Sequence, residues 1–258
     1  TNPSSKRELS WISEYITSTF IKKQIELGKK SKEVCLSHII KTDSLTLKKD
    51  LLRAKIKDEI KQADIVSFDI FDTLLTRPYM NPYHLMRHIE KCMNIPGFYN
   101  ARMLAEHTAR QKTSREDITL DEIYENIDAQ FQNLKDTELD YEYRVLRPRD
   151  DVRDLYEYAI KCGKKIAILS DMYLPRDFLI SVLKKCGYEK YDWLYVSGDV
   201  GVAKHTGNMY RKFLTDCGIK PDKILHIGDS EISDVKMPRA NGIHAVRVPR
   251  ISELFLSS

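Results

Sequence analysis

Asp69, Ser170, Asp171, Lys204, Asp229 and Asp234 each follow a short apolar run of the chain, directly or at a short distance. The first run leads into Asp69-Ile70-Phe71-Asp72-Thr73-Leu74 and the second into Ser170-Asp171. The third is followed after an interval by Lys204, and the fourth leads into Gly228-Asp229-Ser230 with Asp234 five residues on from Asp229. Clustered carboxylates repel one another unless a cation neutralises them, and an oxygen-only ligand set suits Mg²⁺. A lysine and a serine hydroxyl beside such a cluster could hold phosphoryl oxygens while one carboxylate attacks phosphorus. Taken singly, each residue has a plainer explanation: an Asp or Ser that caps a helix, a Lys in solvent. Their joint occurrence, each after its own run, argues for convergence.

For these residues to meet, the runs must be neighbouring parallel strands, because ligands of open parallel sheets gather beyond the carboxyl ends of the strands. Ile65–Phe68, Ile166–Leu169, Leu194–Val196, Ile224–Ile227 and Ala245–Val248 read as β-rich runs alternating with helix-like stretches, which predicts a parallel α/β sheet. The long interval between the first two runs exceeds a single crossover. It carries helical patterns over Tyr83–Cys92, Ala101–Gln111 and Leu120–Phe131, the last with Thr119 as N-cap and Glu122 three residues on. A helical insertion is therefore expected between strands one and two. Before the first run, Leu9, Ile12, Ile16 and Phe20 recur at helical spacing, as do Leu45, Leu47, Leu51, Leu52, Ile56 and Ile60.

With 258 residues, 42% of them apolar, the chain can bury a sizeable core, and no apolar stretch is long enough to span a bilayer. The net charge of +4 is unevenly placed: residues 1–62 hold 14 Lys+Arg against 8 Asp+Glu, which leaves 28 against 30 for the rest. Acids interleave with these lysines, so no nucleic-acid partner is implied; the basic helices suit solvent, a membrane surface, or a docking protein or fused domain. Cys35, Cys92, Cys162, Cys186 and Cys217 are odd in number and lack CxxC or Cys/His clustering, which argues against a disulfide framework or zinc site and for a reducing cytoplasm. Thr1 to Ser5 reads as an artificial junction or the cut edge of a longer chain.

The strings FDIFDTL (Phe68–Leu74), IAILS (Ile166–Ser170), Lys204 and HIGDSEISD (His226–Asp234) resemble the four motifs of the haloacid dehalogenase (HAD) superfamily, over roughly residues 62–250. That resemblance implies a HAD-like Rossmannoid α/β core over 63–78 and 149–258, an inserted α-helical cap over 79–148 and an N-terminal helical extension over 1–62. It implies Asp69 as nucleophile and Mg²⁺ ligand, Ser170 and Lys204 on the phosphoryl group, Asp229 as direct metal ligand with Asp234 beside it, and the Phe71 carbonyl as a further ligand. The expected activity is hydrolysis of a small phosphomonoester, sugar- or polyol-linked, through an aspartyl-phosphate. The alternatives are a catalytically weak HAD-fold binding or scaffold module and a dehalogenase- or phosphonatase-like hydrolase. FDIFDTLLTR is similar, more narrowly, to HAD hydrolases encoded near or fused to glycosyltransferases of bacterial surface-polysaccharide synthesis.

Two positions depart from the family pattern. Family phosphatases usually carry an Asp two residues after the nucleophile, as acid and then base; here Phe71 stands there, and Asp72 lies one residue too far. The aromatic residue resembles the DxYGT motif of dehalogenases, which need no metal, whereas Asp229 and Asp234 look like a metal pair. His205-Thr206 stands where the lysine motif often continues with proline. Arg77, Asp171 and Tyr173 are the expected substrate contacts, with Arg102 and Arg110 as further candidates for pairing a distal anion. His84, His88 and His107 fall in the insertion without metal-ligand spacing.

Overall fold

The computed structural model describes residues 50–79, 81–251 and 253. The expected helix around Leu9 to Phe20, and any docking role for it, lie outside the described residues, as does the start of the second helical pattern at Leu45.

Five parallel strands form one sheet in the order β5-β4-β1-β6-β7: β1 is Ile65–Phe68, β4 Lys165–Ser170, β5 Trp193–Val196, β6 Ile224–Gly228 and β7 His244–Arg247. The most central strand, β1, is buried along its whole length, which is why it reads as a mostly apolar run, broken only by the buried Ser67. Alternation within the runs sends side chains to two cores. Val66, Phe68, Ile166 and Ile168 pack on one face with Ile56 and Ile60 of the helical residues 50–62. Ile65, Ala167 and Leu169 pack on the other face with Tyr210 and Phe213 of the helix Asn208–Cys217.

Between β1 and β4 the chain makes a two-stranded antiparallel clip, β2 (Leu75–Thr76) with β3 (Arg147–Pro148), and the helical insertion lies between its arms. The insertion contains helices His84–Met93, Phe98–Lys112, Leu120–Glu125 and Lys135–Val145 and a 3₁₀ segment Ala129–Leu134. Thr119 and Glu122 form a reciprocal capping box at the start of Leu120–Glu125. The pattern that predicts one helix over Leu120–Phe131 is split, because Asn126 closes the first helix through its side chain on the Glu122 carbonyl (2.7 Å) and Asp128 caps the 3₁₀ turn. Helix Lys135–Val145 has no counterpart in the sequence reading, since its buried positions are Glu138 and Glu142 rather than apolar residues. None of the described helices is long and apolar enough to cross a membrane.

Candidate active site

Asp69 leaves β1 still in register with β6, its N–H donating to the Ile227 carbonyl (3.0 Å), so that it faces the Gly228-Asp229 end of that strand. The chain then turns sharply. Leu75 N–H reaches the Ile70 carbonyl (2.7 Å), and Asp72 takes a left-handed conformation (φ 56°), which Asp tolerates better than most residues. Arg149 holds this turn by donating to the Asp72 carbonyl (2.6 Å).

Gly228 lets the fourth segment close on itself. An added Cβ there would lie 2.4 Å from Asp234 Cγ, so only glycine lets the π-helical turn Glu231–Lys236 bring Asp234 back against the end of β6. Asp234 Oδ2 accepts the Ser230 N–H (2.9 Å), and Oδ1 accepts from Lys204 Nζ (2.6 Å) and pairs with His226 Nε2 (3.1 Å). Behind it, His226 Nδ1 meets the Ser67 hydroxyl at 2.8 Å. Burial keeps this imidazole below its ordinary pKa, so the neutral ring donates from Nε2 to Asp234 and accepts from Ser67 at Nδ1.

Asp69, Asp229 and Asp234 thus converge with carboxylate oxygens within 4.8 Å of one another, all three buried. Lys204 Nζ bridges Asp69 Oδ1 (2.5 Å) and Asp234 Oδ1 (2.6 Å). Burial raises the Asp69 carboxyl well above the usual carboxylate range, and its acidic neighbours add to that shift against the pull of Lys204. Asp229 is raised by burial and by Asp234, opposed by Arg250. Asp234 is the member held ionised: burial acts against it, but Lys204 and His226 outweigh that cost. A pocket that disfavours two of its three charges suits a divalent cation, and its donors are oxygens, the ligand class that Mg²⁺ takes. Ser170 supplies a separate sign, of a missing polar partner. Its hydroxyl is buried at the end of β4 with no hydrogen-bond partner among the described residues.

Asp69, Ser170, Lys204, Asp229 and Asp234 are therefore brought to one end of the sheet, with Phe71 two residues beyond Asp69 in the turn. The expected substrate contacts fare differently. Arg77 stacks on the Phe71 ring (4.2 Å) and donates to Glu142 (2.5 Å), both charges largely buried, so it is not free for a distal anion. Arg102 is fully engaged by Glu138 and Glu106, and Arg110 by Glu106 and Asp117. Asp171 gives both carboxylate oxygens to the Lys204 loop, accepting the N–H groups of Lys204 (2.6 Å) and His205 (3.1 Å), which makes it a support for that loop. Tyr173 lies beneath the Arg102 guanidinium (5.0 Å), in the seam between insertion and core. His84 keeps a lowered pKa through burial and Arg87, and His107 pairs with Gln111; neither belongs to the cluster.

Two arginines escaped the sequence reading. Arg250 donates to Asp229 Oδ2 (2.5 Å) and Arg247 to the Asp229 carbonyl (2.7 Å). Arg247 ends β7 but lies inside the run Ala245–Val248 as read from the sequence, so the strand-end rule applied to that run passes it over; Arg250, two residues beyond the run, has no spacing signal of its own.

The family described as "Hydrolase: haloacid dehalogenase-like hydrolase" matches residues 63–242. No curated protein matches the chain. Among solved structures, a HAD-family enzyme from Bacteroides thetaiotaomicron is 18% identical with a TM-score of 0.55, over 75% of this chain and 98% of that one. An Asp-to-Ala mutant of that enzyme, in complex with magnesium and inorganic phosphate, aligns at 14% identity and TM-score 0.52 over 73% of this chain and 95% of that one. L-2-haloacid dehalogenase from Xanthobacter autotrophicus is 18% identical with a TM-score of 0.52, over 76% of this chain and 81% of that one. At such identities the likeness concerns the fold alone.

Proposed function

The chain belongs to the haloacid dehalogenase-like hydrolases, and from that premise we propose that it is a Mg²⁺-dependent phosphohydrolase that works through an aspartyl-phosphate on Asp69. The observation that carries the reading is the buried trio Asp69, Asp229 and Asp234 bridged by Lys204, beside the unpartnered Ser170 hydroxyl. Asp69, Asp229 and Asp234, with the Phe71 carbonyl, would hold Mg²⁺, which when bound offsets the charge of carboxylates and phosphoryl oxygens.

The chain's own residues account for the steps. Asp69 attacks phosphorus: the bond from its carboxylate oxygen to phosphorus forms as the bond to the leaving oxygen breaks. Lys204 and the Ser170 hydroxyl hold the phosphoryl oxygens, which gather charge in the transition state. Water then attacks the aspartyl-phosphate and releases phosphate. Burial of all five side chains supports exclusion of bulk water, so substrate entry requires the insertion or the β2–β3 clip to move. Phe71 can neither give nor take a proton, so the departing oxygen must tolerate negative charge or find its proton elsewhere.

The substrate is a small phosphorylated metabolite. Since Arg77, Arg102 and Arg110 are already paired with carboxylates, the part remote from phosphorus is neutral and polar, as in a sugar or polyol, rather than a second anion. Cys92, Cys162, Cys186 and Cys217 carry free thiols, which fits a cytoplasmic setting. Phe71, an aromatic residue where an acid would serve a phosphatase, favours carbon–halogen hydrolysis as a second reading. A phosphate-release screen over many phosphometabolites with Mg²⁺, using Asp69→Asn as control, tests the first reading. Halide release that persists in EDTA, with no phosphate release from any ester, would establish the second instead.

A further inference from the structure

Lys204 lies in the loop between the short helix Ser197–Val200 and the helix Asn208–Cys217. Its ammonium can occupy the space between Asp69 and Asp234 only if that loop is held. From the core, Asp171 grips the N–H groups of Lys204 and His205. The second grip comes from the insertion, through the connection between helices Phe98–Lys112 and Leu120–Glu125. Glu116 Oε2 accepts the Ala203 N–H (2.7 Å) and the Thr206 hydroxyl (2.6 Å), and Oε1 accepts from Asn208 Nδ2. Two donors from the loop and one from the first residue of the following helix meet one carboxylate, and the backbone donor is the residue immediately before Lys204. The neighbours of Glu116 reinforce the seat: Arg115 donates to the Gly198 carbonyl (3.0 Å), and Asp117 accepts from the Ser197 hydroxyl.

We propose that Glu116 is the latch by which the seated insertion fixes the lysine loop, a positioning residue that acts on Lys204 through Ala203, Thr206 and Asn208. Thr206 gains a purpose by this, since its hydroxyl is one of the groups the carboxylate accepts from. Burial disfavours the Glu116 charge, yet the hydrogen bonds from Thr206, Ala203 and Asn208 outweigh it and hold the group ionised, as charge-assisted acceptors are. Lysine placement is thereby tied to closure. When the insertion lifts, the loop loses the Glu116 grip and keeps its Asp171 support and its own backbone bonds to Gly207 and Met209, so the ammonium is held most firmly in the closed state. The effect on rate rests on the phosphoryl-transfer reading; the tie between insertion and loop does not.

The test uses the full chain and two measurements. In hydrogen-exchange mass spectrometry, Glu116→Ala should speed exchange of peptides covering Ala203–Asn208 by about tenfold or more, the scale of a lost hydrogen bond to a charged group, while the strands of the sheet exchange as in the parent. Thr206→Val should reproduce part of this and Thr206→Ser should restore it. With p-nitrophenyl phosphate and Mg²⁺, kcat should fall by about tenfold with little change in KM, and Glu116→Ala combined with Thr206→Val should be no worse than Glu116→Ala alone. Unchanged exchange over 203–208, equal acceleration across the whole sheet, or additive losses in the double variant would overturn the latch. If the parent releases no phosphate from any ester, the phosphohydrolase reading fails, and the exchange measurement by itself decides the latch.

Discussion

Gly228→Ala places one methyl group where the active-site architecture has no room for it. Gly228 has no positive φ, so the substitution introduces no backbone strain of its own. The added Cβ would sit 2.4 Å from Asp234 Cγ, and ordinary contact begins at 3.4 Å, so the carboxylate or the strand end must shift by 1.0 Å. A shift of that size takes Asp234 out of hydrogen-bond range of Ser230 N–H (now 2.9 Å) and His226 Nε2 (3.1 Å) and stretches the Lys204 contact from 2.6 Å past the normal limit. Each buried hydrogen bond to a charged group contributes about 1.5–3 kcal/mol, whereas backbone accommodation of an oversized residue costs about 1–3 kcal/mol. The chain takes the cheaper mixture of the two, so a loss of about 2–4 kcal/mol is expected. For a protein of this size that lowers Tm by about 4–16 °C. A 1 Å displacement at the reacting centre should also cut phosphate release by about 100-fold. The assay is thermal unfolding together with phosphate release. A Gly228→Ala protein that melts within 2 °C or so of the parent and keeps its activity would refute the claim that Asp234 is positioned by the missing side chain.

Asp69→Asn should abolish turnover with the fold intact, because the amide is nearly isosteric but cannot attack phosphorus; retained activity above a few per cent of the parent rate would remove Asp69 from the mechanism. EDTA should stop phosphate release and Mg²⁺ restore it, while Asp229→Ala should weaken Mg²⁺ binding by calorimetry; unchanged affinity in that variant contradicts the ligand assignment. Phe71 predicts a steep dependence of rate on leaving-group pKa and a burst followed by slow turnover, with a missing acid worth about 10²–10⁴-fold; Phe71→Asp should flatten the dependence, and a parent that cleaves alkyl and aryl phosphates equally well has another proton donor. Arg77→Met should cost about 3–5 kcal/mol by stranding Glu142 in the interior, and Arg77→Met/Glu142→Leu should recover most of it, whereas an undiminished Tm in the single variant would return Arg77 to the role of substrate ligand.

The sequence by itself carried the order of the chemistry. Asp69, Ser170 and Asp229 directly follow apolar runs, and burial on both faces of a parallel sheet makes such strands predominantly apolar, so they can be read locally even where Ser67 and His226 interrupt them. The capping box at Thr119 and Glu122 was legible for the same reason, since its partners are three residues apart. Helix Lys135–Val145 was not legible: it turns Glu138 and Glu142 inward, so its buried face carries no apolar period, and those charges are buried only because Arg102 and Arg77, distant in the chain, meet them. The same holds for the contacts that decide what each site residue is free to do. Arg77 and Glu142 are 65 residues apart, Glu116 and Ala203 are 87 apart, and Lys204 and Asp69 are 135 apart. Residue types and short spacings express local periodicity and capping, but a pairing across the fold leaves no trace in either partner's neighbourhood. Only the tertiary structure could therefore convert Arg77 and Asp171 from candidate ligands into supports, and disclose Glu116 and Arg250 beside the residues they hold.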